Sequence, residues 1–165
     1  MKQTRLILVG GFLGAGKTTL LWETAVRLMN KGLRVGLITN DQAPELVDSE
    51  LLKLSDLRVA EVSGSCFCCN FNGFTDAIKA IRAEASADVI IAEPVGSCAD
   101  LSATIMQPLK QYWNAELKIS PLTVLADPNR LVSILNGGNG GLHPDAAYIY
   151  KKQLEESDII LLSKS

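Results

Sequence analysis

The run Val9-Gly-Gly-Phe-Leu-Gly-Ala-Gly-Lys-Thr-Thr-Leu20 constrains this chain more than any other stretch. Gly11 to Thr18 fills every fixed position of G-x-x-x-x-G-K-[ST], the phosphate-loop pattern. Its flanks fit: Arg5-Leu6-Ile7-Leu8-Val9 reads as a buried strand, and Lys17 onward reads as a helix. Glycines at 10, 11, 14 and 16 are expected to let the backbone take positive φ and approach a phosphate closely. Unpaired N–H groups at the helix start then face the anion. Gly11, Gly14, Ala15, Gly16, Lys17, Thr18 and Thr19 are therefore the nucleotide-binding candidates. Lys17 supplies charge for the β- and γ-phosphates, and the Thr18 hydroxyl is suited to Mg²⁺.

The periodicity beyond this loop sets the fold class. A helix is predicted from Lys17 to Lys31, with Leu21, Ala25, Leu28 and Met29 on one face and Gly32 as its stop. Apolar strands follow at 33–39, 57–62, 88–92, 122–126 and 158–162, separated by helices at 44–54, 74–85, 101–113, 128 onward and 145–156. Pro108 is expected to interrupt the helical segment at 101–113. Strands that read as continuous apolar runs and alternate with helices predict a mainly parallel sheet with helices on both faces, three layers in all. The expected fold is that of an α/β P-loop NTPase, as one domain over residues 1–165. Ligands in such sheets bind at the carboxyl ends of the strands. Asn40, Asp41, Glu93 and Asp127 each follow a strand and should share that rim.

Composition excludes other classes. With 47% hydrophobic and 21% charged residues, the 165-residue chain should pack a globular core. A net charge of −2, with no basic block longer than Lys151-Lys152, argues against a nucleic-acid partner. The uncharged run from Leu6 to Gly16 imitates a signal-peptide core, but the phosphate loop accounts for it, and no apolar run is long enough to span a membrane. A cytoplasmic protein is expected.

Two acids are candidate catalytic groups beside Lys17. Asp41 follows the second strand, and Glu93 opens Glu93-Pro94-Val95-Gly96. A Mg²⁺–nucleotide site needs carboxylates to hold the metal or its waters and to orient the attacking water. The Gly96 N–H stands where many GTPases sense the γ-phosphate. Asp127-Pro128 reads as an ordinary helix cap.

The other distinctive segment is Gly64-Ser65-Cys66-Phe67-Cys68-Cys69. In a reducing compartment, clustered thiols read as metal ligands or redox groups. Thiolates suit Zn²⁺ and other late transition ions in tetrahedral sites. Cys66, Cys68 and Cys69 offer three ligands, leaving water, Cys98, His143 or a second subunit for the fourth. Because this loop shares the phosphate rim, nucleotide state and metal affinity should be linked reciprocally.

The C-terminal Leu161-Leu162-Ser163-Lys164-Ser165 is an apolar strand followed by Ser-Lys-x. Guanine readers of this kind carry Asn/Ser/Thr-Lys-x-Asp, so Ser163 and Lys164 are candidate base contacts, and the Asp would come next. The sequence therefore reads as a domain cut short at its guanine-recognition motif.

Together these segments resemble the CobW-type family of P-loop GTPases, relatives of the GTPases that help insert nickel into urease and hydrogenase. The resemblance rests on Gly10 to Thr19, Asn40-Asp41, Cys66-Phe67-Cys68-Cys69, Glu93-Pro94-Val95-Gly96 and Gln153 through Lys164. It implies GTP hydrolysis to GDP with Mg²⁺, and Zn²⁺ or Co²⁺ bound at the three cysteines. It also implies delivery of the ion to a client metalloprotein, or to a protein of cobalamin metabolism, with homodimer formation left open. Ser65 and Pro94-Val95 depart from the family's commoner residues, and its usual C-terminal domain is not seen. The competing readings are a small-molecule kinase and a nucleotide-gated thiol or metal sensor. A kinase needs a lid of arginines over the phosphates, and beyond residue 83 only Arg130 is present.

Overall fold

A computed structural model describes residues 2–40 and 57–163. Asp41, Lys164 and the helix expected over residues 44–54 lie outside the described residues. Chain order is β1 (Thr4–Gly11), α1 (Lys17–Met29), β2 (Val35–Thr39), β3 (Leu57–Glu61), α2 (Phe71–Ala85) and β4 (Val89–Glu93). A π-helical turn at Ser102–Met106 then runs into α3 (Gln107–Tyr112), followed by β5 (Leu117–Ile119), β6 (Thr123–Ala126), α4 (Pro128–Leu135), α5 (Pro144–Glu156) and β7 (Ile159–Leu162).

The strands form one sheet in the order β3-β2-β4-β1-β6-β7, with β5 also paired to β1. Every pairing among the described residues is parallel. Register places Thr39 beside Glu93 and Glu61, so the ends of β2, β3 and β4 are level. Both faces of the central strands are buried, as their unbroken apolar runs predict. One face carries Leu6, Leu8, Ile38, Ile90 and Ala92 against Phe74 and Ile78 of α2 and Ile105 and Leu109 of the segment before β5. The other carries Val9, Leu37, Val89 and Ile91 against Leu21, Trp22 and Ala25 of α1. This is the expected three-layer arrangement.

Three local expectations are corrected, and one short strand joins the expected ones. Gly10 keeps an ordinary strand conformation, and only Gly11, Gly14 and Gly16 of the loop have positive φ. Helix α2 begins at Phe71 rather than at 74, because the Asn70 side chain accepts the Gly73 N–H at 3.0 Å and caps it. Pro108 does not break its helix. The preceding π turn, in which the Gln107 N–H reaches the Ser102 carbonyl, sets Pro108 in the first turn of α3, where no N–H is required. Strand β5 is too short, at three residues, to show a pattern of its own.

Candidate functional site

The loop between β1 and α1 is shaped by backbone rather than side chains. Gly11 has φ +134°, and a Cβ there would lie 2.5 Å from the Leu125 carbonyl oxygen of β6. Gly16, with φ +92°, hands the chain to α1 without any side-chain cap. The Leu20 N–H is taken by the Gly16 carbonyl at 3.1 Å. Those of Lys17, Thr18 and Thr19 belong to the open first turn, the arrangement that binds phosphate. They line a cleft of about 530 Å³ together with Leu13, Gly14, Trp22, Thr39, Asn40 and the Glu93–Gly96 loop.

Inside the cleft Lys17 is buried, 6% exposed. Its Nζ donates to the Phe12 carbonyl at 3.4 Å and lies 3.8 Å from Glu93 Oε1. Burial lowers the Lys17 pKa against the opposing pull of Glu93. Burial also raises that of Glu93, against Lys17 and a hydrogen bond from Thr18. Burial thus works against charge on both groups, and their mutual pairing works for it. The Thr18 hydroxyl donates to the Glu93 carboxylate, 3.0 and 3.1 Å from its two oxygens. Nearby, Thr39 Oγ1 is buried without a hydrogen-bond partner among the described residues.

Gly96 packs directly on the phosphate loop: a Cβ there would meet Leu13 N at 2.9 Å and Lys17 Nζ at 3.2 Å. Behind it the loop is tied to α5. Gln153, 2% exposed, donates its Nε2 to the carbonyls of Gly96 at 3.0 Å and Cys98 at 2.8 Å. A glutamine in a helical pattern carries no signal for this role, which needs the tertiary contact to be seen.

The cysteine turn follows β3. Phe67 is its anchor, fully buried and stacked on Phe74 of α2 with ring centroids 4.4 Å apart. The Cys66 carbonyl accepts the N–H groups of Cys69 and Asn70 at 3.0 and 2.9 Å. With Phe67 driven inward and the backbone folded over, the flanking thiols gather on the outside. Cys66 and Cys68 are half-buried, Cys69 is exposed, and their sulfurs all lie within 4.8 Å of one another. The closest pair is Cys66 and Cys68, at 2.8 Å. Burial alone would raise the Cys66 pKa, but hydrogen bonds from Cys68, Cys69 and Cys98 outweigh it and bring it to about 7. Burial and the neighbouring Cys66 push Cys68 up to about 11. The cluster thus favours one negative charge shared among its sulfurs.

Sequence reasoning brought the right parts together and missed the ties between them. Lys17, Thr18, Glu93 and Gly96 converge as expected. Asn40, which lines the cleft, donates its Nδ2 to the carbonyls of Val62 at 2.7 Å and Ser65 at 2.6 Å. A single amide therefore bridges the phosphate cleft and the approach to the cysteines. Asp127 caps α4, accepting from Asn129 N at 3.0 Å and Arg130 N at 3.3 Å. His143 is exposed and caps α5 through the Asp145 N–H at 3.4 Å. Ser163 closes the far end of the rim, its N–H on the Ala126 carbonyl at 2.9 Å.

Comparison with known proteins agrees with this geometry. The YeiR zinc chaperone of Escherichia coli K12 is 24% identical over 166 residues, spanning 98% of this chain and 47% of that protein. A Zn(II)-bound triple mutant of the YjiA GTPase superposes with a TM-score of 0.64 at 20% identity, over 98% of this chain and 49% of the other. HypB of Helicobacter pylori in complex with nickel gives 0.54 at 14% identity, over 98% and 78%. The chain thus spans about half the length of YeiR and YjiA. The sequence profile described as CobW/HypB/UreG, nucleotide-binding domain, matches residues 5–165, and the chain belongs to that family.

Proposed function

We propose that this chain is the nucleotide-binding part of a cytoplasmic GTPase that carries a transition metal on Cys66, Cys68 and Cys69 and couples the metal's release to GTP hydrolysis. The observation that carries the reading is the bridge between the two half-sites. Asn40 lines the phosphate cleft and holds the Ser65 carbonyl, one residue ahead of the first cysteine. Zinc is the first choice of cargo, since thiolates suit it and YeiR is named a zinc chaperone. Cobalt would use the same ligands, and a link to cobalamin metabolism would follow only in that case. The recipient is a client metalloprotein, and two copies pairing across the nucleotide would be compatible with an open cleft.

In this reading the entering β- and γ-phosphates draw Lys17 away from Glu93 and the Phe12 carbonyl, and the first-turn N–H groups of α1 receive the phosphate oxygens. Glu93, released, orients the attacking water, with Asp41 as the other acidic candidate. The Thr18 hydroxyl beside the Glu93 carboxylate, with the unpartnered Thr39 hydroxyl nearby, is a hard-oxygen donor set that fits Mg²⁺. Bound there, that ion neutralises charge on the β- and γ-oxygens. Gly96, pressed against Lys17, is the residue that γ-phosphate would displace. Guanine preference rests on Ser163 and Lys164, and on YjiA being named a GTPase.

The test is a zinc competition titration of the Cys66→Ser, Cys68→Ser, Cys69→Ser variant. Binding in the micromolar range or tighter should disappear while GTP binding persists. An unchanged zinc titration rejects the metal site.

A further inference from the structure

We propose that Gln153 is a positioning residue through which α5 senses the γ-phosphate, so that the state of the Gly96 loop passes along this helix to β7 and Ser163. This rests on the reading of Gly96 as the residue that a γ-phosphate displaces, and goes beyond it to what lies behind that residue.

Three side chains on one face of α5 back the two loops of the cleft. Tyr150, Gln153 and Glu156 follow one another at every third residue, which keeps them within an arc of about 120°. Tyr150, 2% exposed, sets its ring edge-on to Phe12 of the phosphate loop, with centroids 5.9 Å apart. Its hydroxyl donates to the Asp127 carbonyl at 3.4 Å. Gln153 Nε2 has two hydrogens and directs both at the loop, to the Gly96 carbonyl at 3.0 Å and the Cys98 carbonyl at 2.8 Å. Glu156 accepts the Ser102 N–H at 3.1 Å, at the head of the helical segment that ends the loop. Between these two grips Asp100 takes φ +59°, a conformation that a non-glycine residue keeps only where its surroundings hold it. One helix therefore fixes the loop from behind. A residue needed for packing alone would be apolar, whereas a buried amide aimed at two carbonyls specifies where they sit.

Gly96 has no slack to absorb a push. In front of it a Cβ would already meet Leu13 N at 2.9 Å and Lys17 Nζ at 3.2 Å, and behind it stands Gln153. A displacement caused by phosphate on Lys17 is thus handed to α5. The amide has a second position available. Gln153 Oε1 is buried without a hydrogen-bond partner among the described residues, and so is Glu156 Oε1. Buried acceptors left unpaired favour any loop position that brings an N–H to them. The carbonyl grip seen here and an N–H grip after displacement are the two states of the device. Beyond Glu156 the helix leads through Asp158, whose carboxylate accepts the Leu122 N–H at 2.7 Å, into β7 beside β6. Ser163 follows, its N–H on the Ala126 carbonyl. The γ-phosphate loop and the segment proposed to meet guanine thereby share one support.

Amide hydrogen exchange of the full wild-type chain tests this without relying on a variant that must fold. Between GDP and a non-hydrolysable GTP analogue, the amides of Ser102 to Thr104 and of Tyr150 to Glu156 should differ in rate about fivefold or more. Those of α1 beyond Trp22 should not change. Equal exchange in α5 with both nucleotides overturns the relay. The Gln153→Leu variant, similar in volume but without donors, should shift the ratio of GTP-analogue to GDP affinity about fivefold or more. Its kcat should fall about tenfold while KM for GTP stays within about twofold. A residue that merely stabilised the fold would weaken both nucleotides alike, and an unchanged ratio therefore also overturns the proposal. If Lys17→Ala loses nucleotide while Gln153→Leu keeps the wild-type ratio, the relay fails and the phosphate-loop reading survives. If Lys17→Ala binds nucleotide as well as the wild type does, the reading beneath the relay fails with it.

Discussion

The phosphate loop and the cysteine turn both leave strands of one sheet and both lead into helices, yet the chain shapes them by different means. The phosphate loop is a backbone construction: glycines take positive φ, a neighbouring strand passes where side chains would be, and the ligand groups are N–H donors. The cysteine turn is a side-chain construction. Phe67 plugs into the core, Asn40 and Asn70 hold the backbone on either side, and the ligand groups are thiols that face outward as a result. At Gly11 the first kind of site tolerates no added atom. The second tolerates changes in its loop provided the plug is kept.

That difference predicts unequal answers to the same substitution. Gly11→Ala should cost about 4 kcal/mol, combining an unfavourable φ with a Cβ driven into the Leu125 backbone. Gly64→Ala, at the mouth of the cysteine turn, has φ +83° but open space around it and should cost only about 1 kcal/mol. Urea unfolding of the two variants measures both, and equal costs would erase the distinction. Next in size, Phe67→Ala removes the plug and should destabilise the chain by about 3 kcal/mol. Zinc affinity should fall with it, because Phe67 is the side chain that fixes the turn against the core. If stability drops while the zinc titration holds, the turn is self-supporting and the anchor argument is wrong.

On the nucleotide side, Lys17→Ala should weaken nucleotide binding about 100-fold, equivalent to roughly 2.7 kcal/mol. Zinc affinity of the nucleotide-free protein should change little, since the thiols of the turn do not depend on Lys17 for their position. Equilibrium binding of a fluorescent guanine nucleotide, alongside the zinc titration, separates the two. A parallel loss of zinc would mean that the half-sites form one cooperative unit even without nucleotide.

How far each region could be read from sequence follows the same division. A site made of backbone is written in contiguous residues, and Gly11 to Thr18 announces it with both flanks in view. The cysteine trio is equally compact and equally plain. What could not be read are the ties supplied by distant segments. Asn40 looks like a polar strand end, and Gln153 like one more helix polar residue. Each acquires its role only when β2, α5 and the loop after β4 are brought together. Local misreadings had local causes. The Asn70 cap moves the start of α2 into what composition marks as loop, and the π turn before Pro108 absorbs a residue that ordinarily ends a helix. The apolar strands show a further limit. β4 and β7 are similar runs of branched residues, yet Ile90 and Ile91 are buried while Ile159 to Leu162 are 38–56% exposed at the sheet edge. Hydropathy gives the strand, and position in the sheet decides what covers it.

The smallest expected effect on ligand affinity comes from the opposite end of the strands, where a side chain supports both half-sites without belonging to either. Asp88, just before β4, has a side chain 9% exposed. It accepts hydrogen bonds from Arg34 N at 3.0 Å, Arg34 Nε at 3.2 Å, Arg34 Nη2 at 3.1 Å and Lys2 Nζ at 2.7 Å. Arg34 above all, then Lys2, holds its carboxyl well below the usual carboxylate range. Lys2 is 77% exposed and adds little energy. A carboxyl whose folded pKa is depressed stabilises the fold above its unfolded pKa of about 3.9, and that contribution is lost as pH falls toward the folded value. Asp88→Asn should therefore cost about 2 kcal/mol at pH 7 and progressively less below about pH 4, where the wild type itself loses the ionised form. Urea midpoints at neutral and acid pH give the comparison. Because the anchor is remote from the rim, zinc and nucleotide affinities of the folded variant should both stay within about twofold. A selective loss of one would mean that strain at this end of β2 and β4 reaches the two half-sites unequally, and that the backbone-built site and the side-chain-built one do not share a common frame.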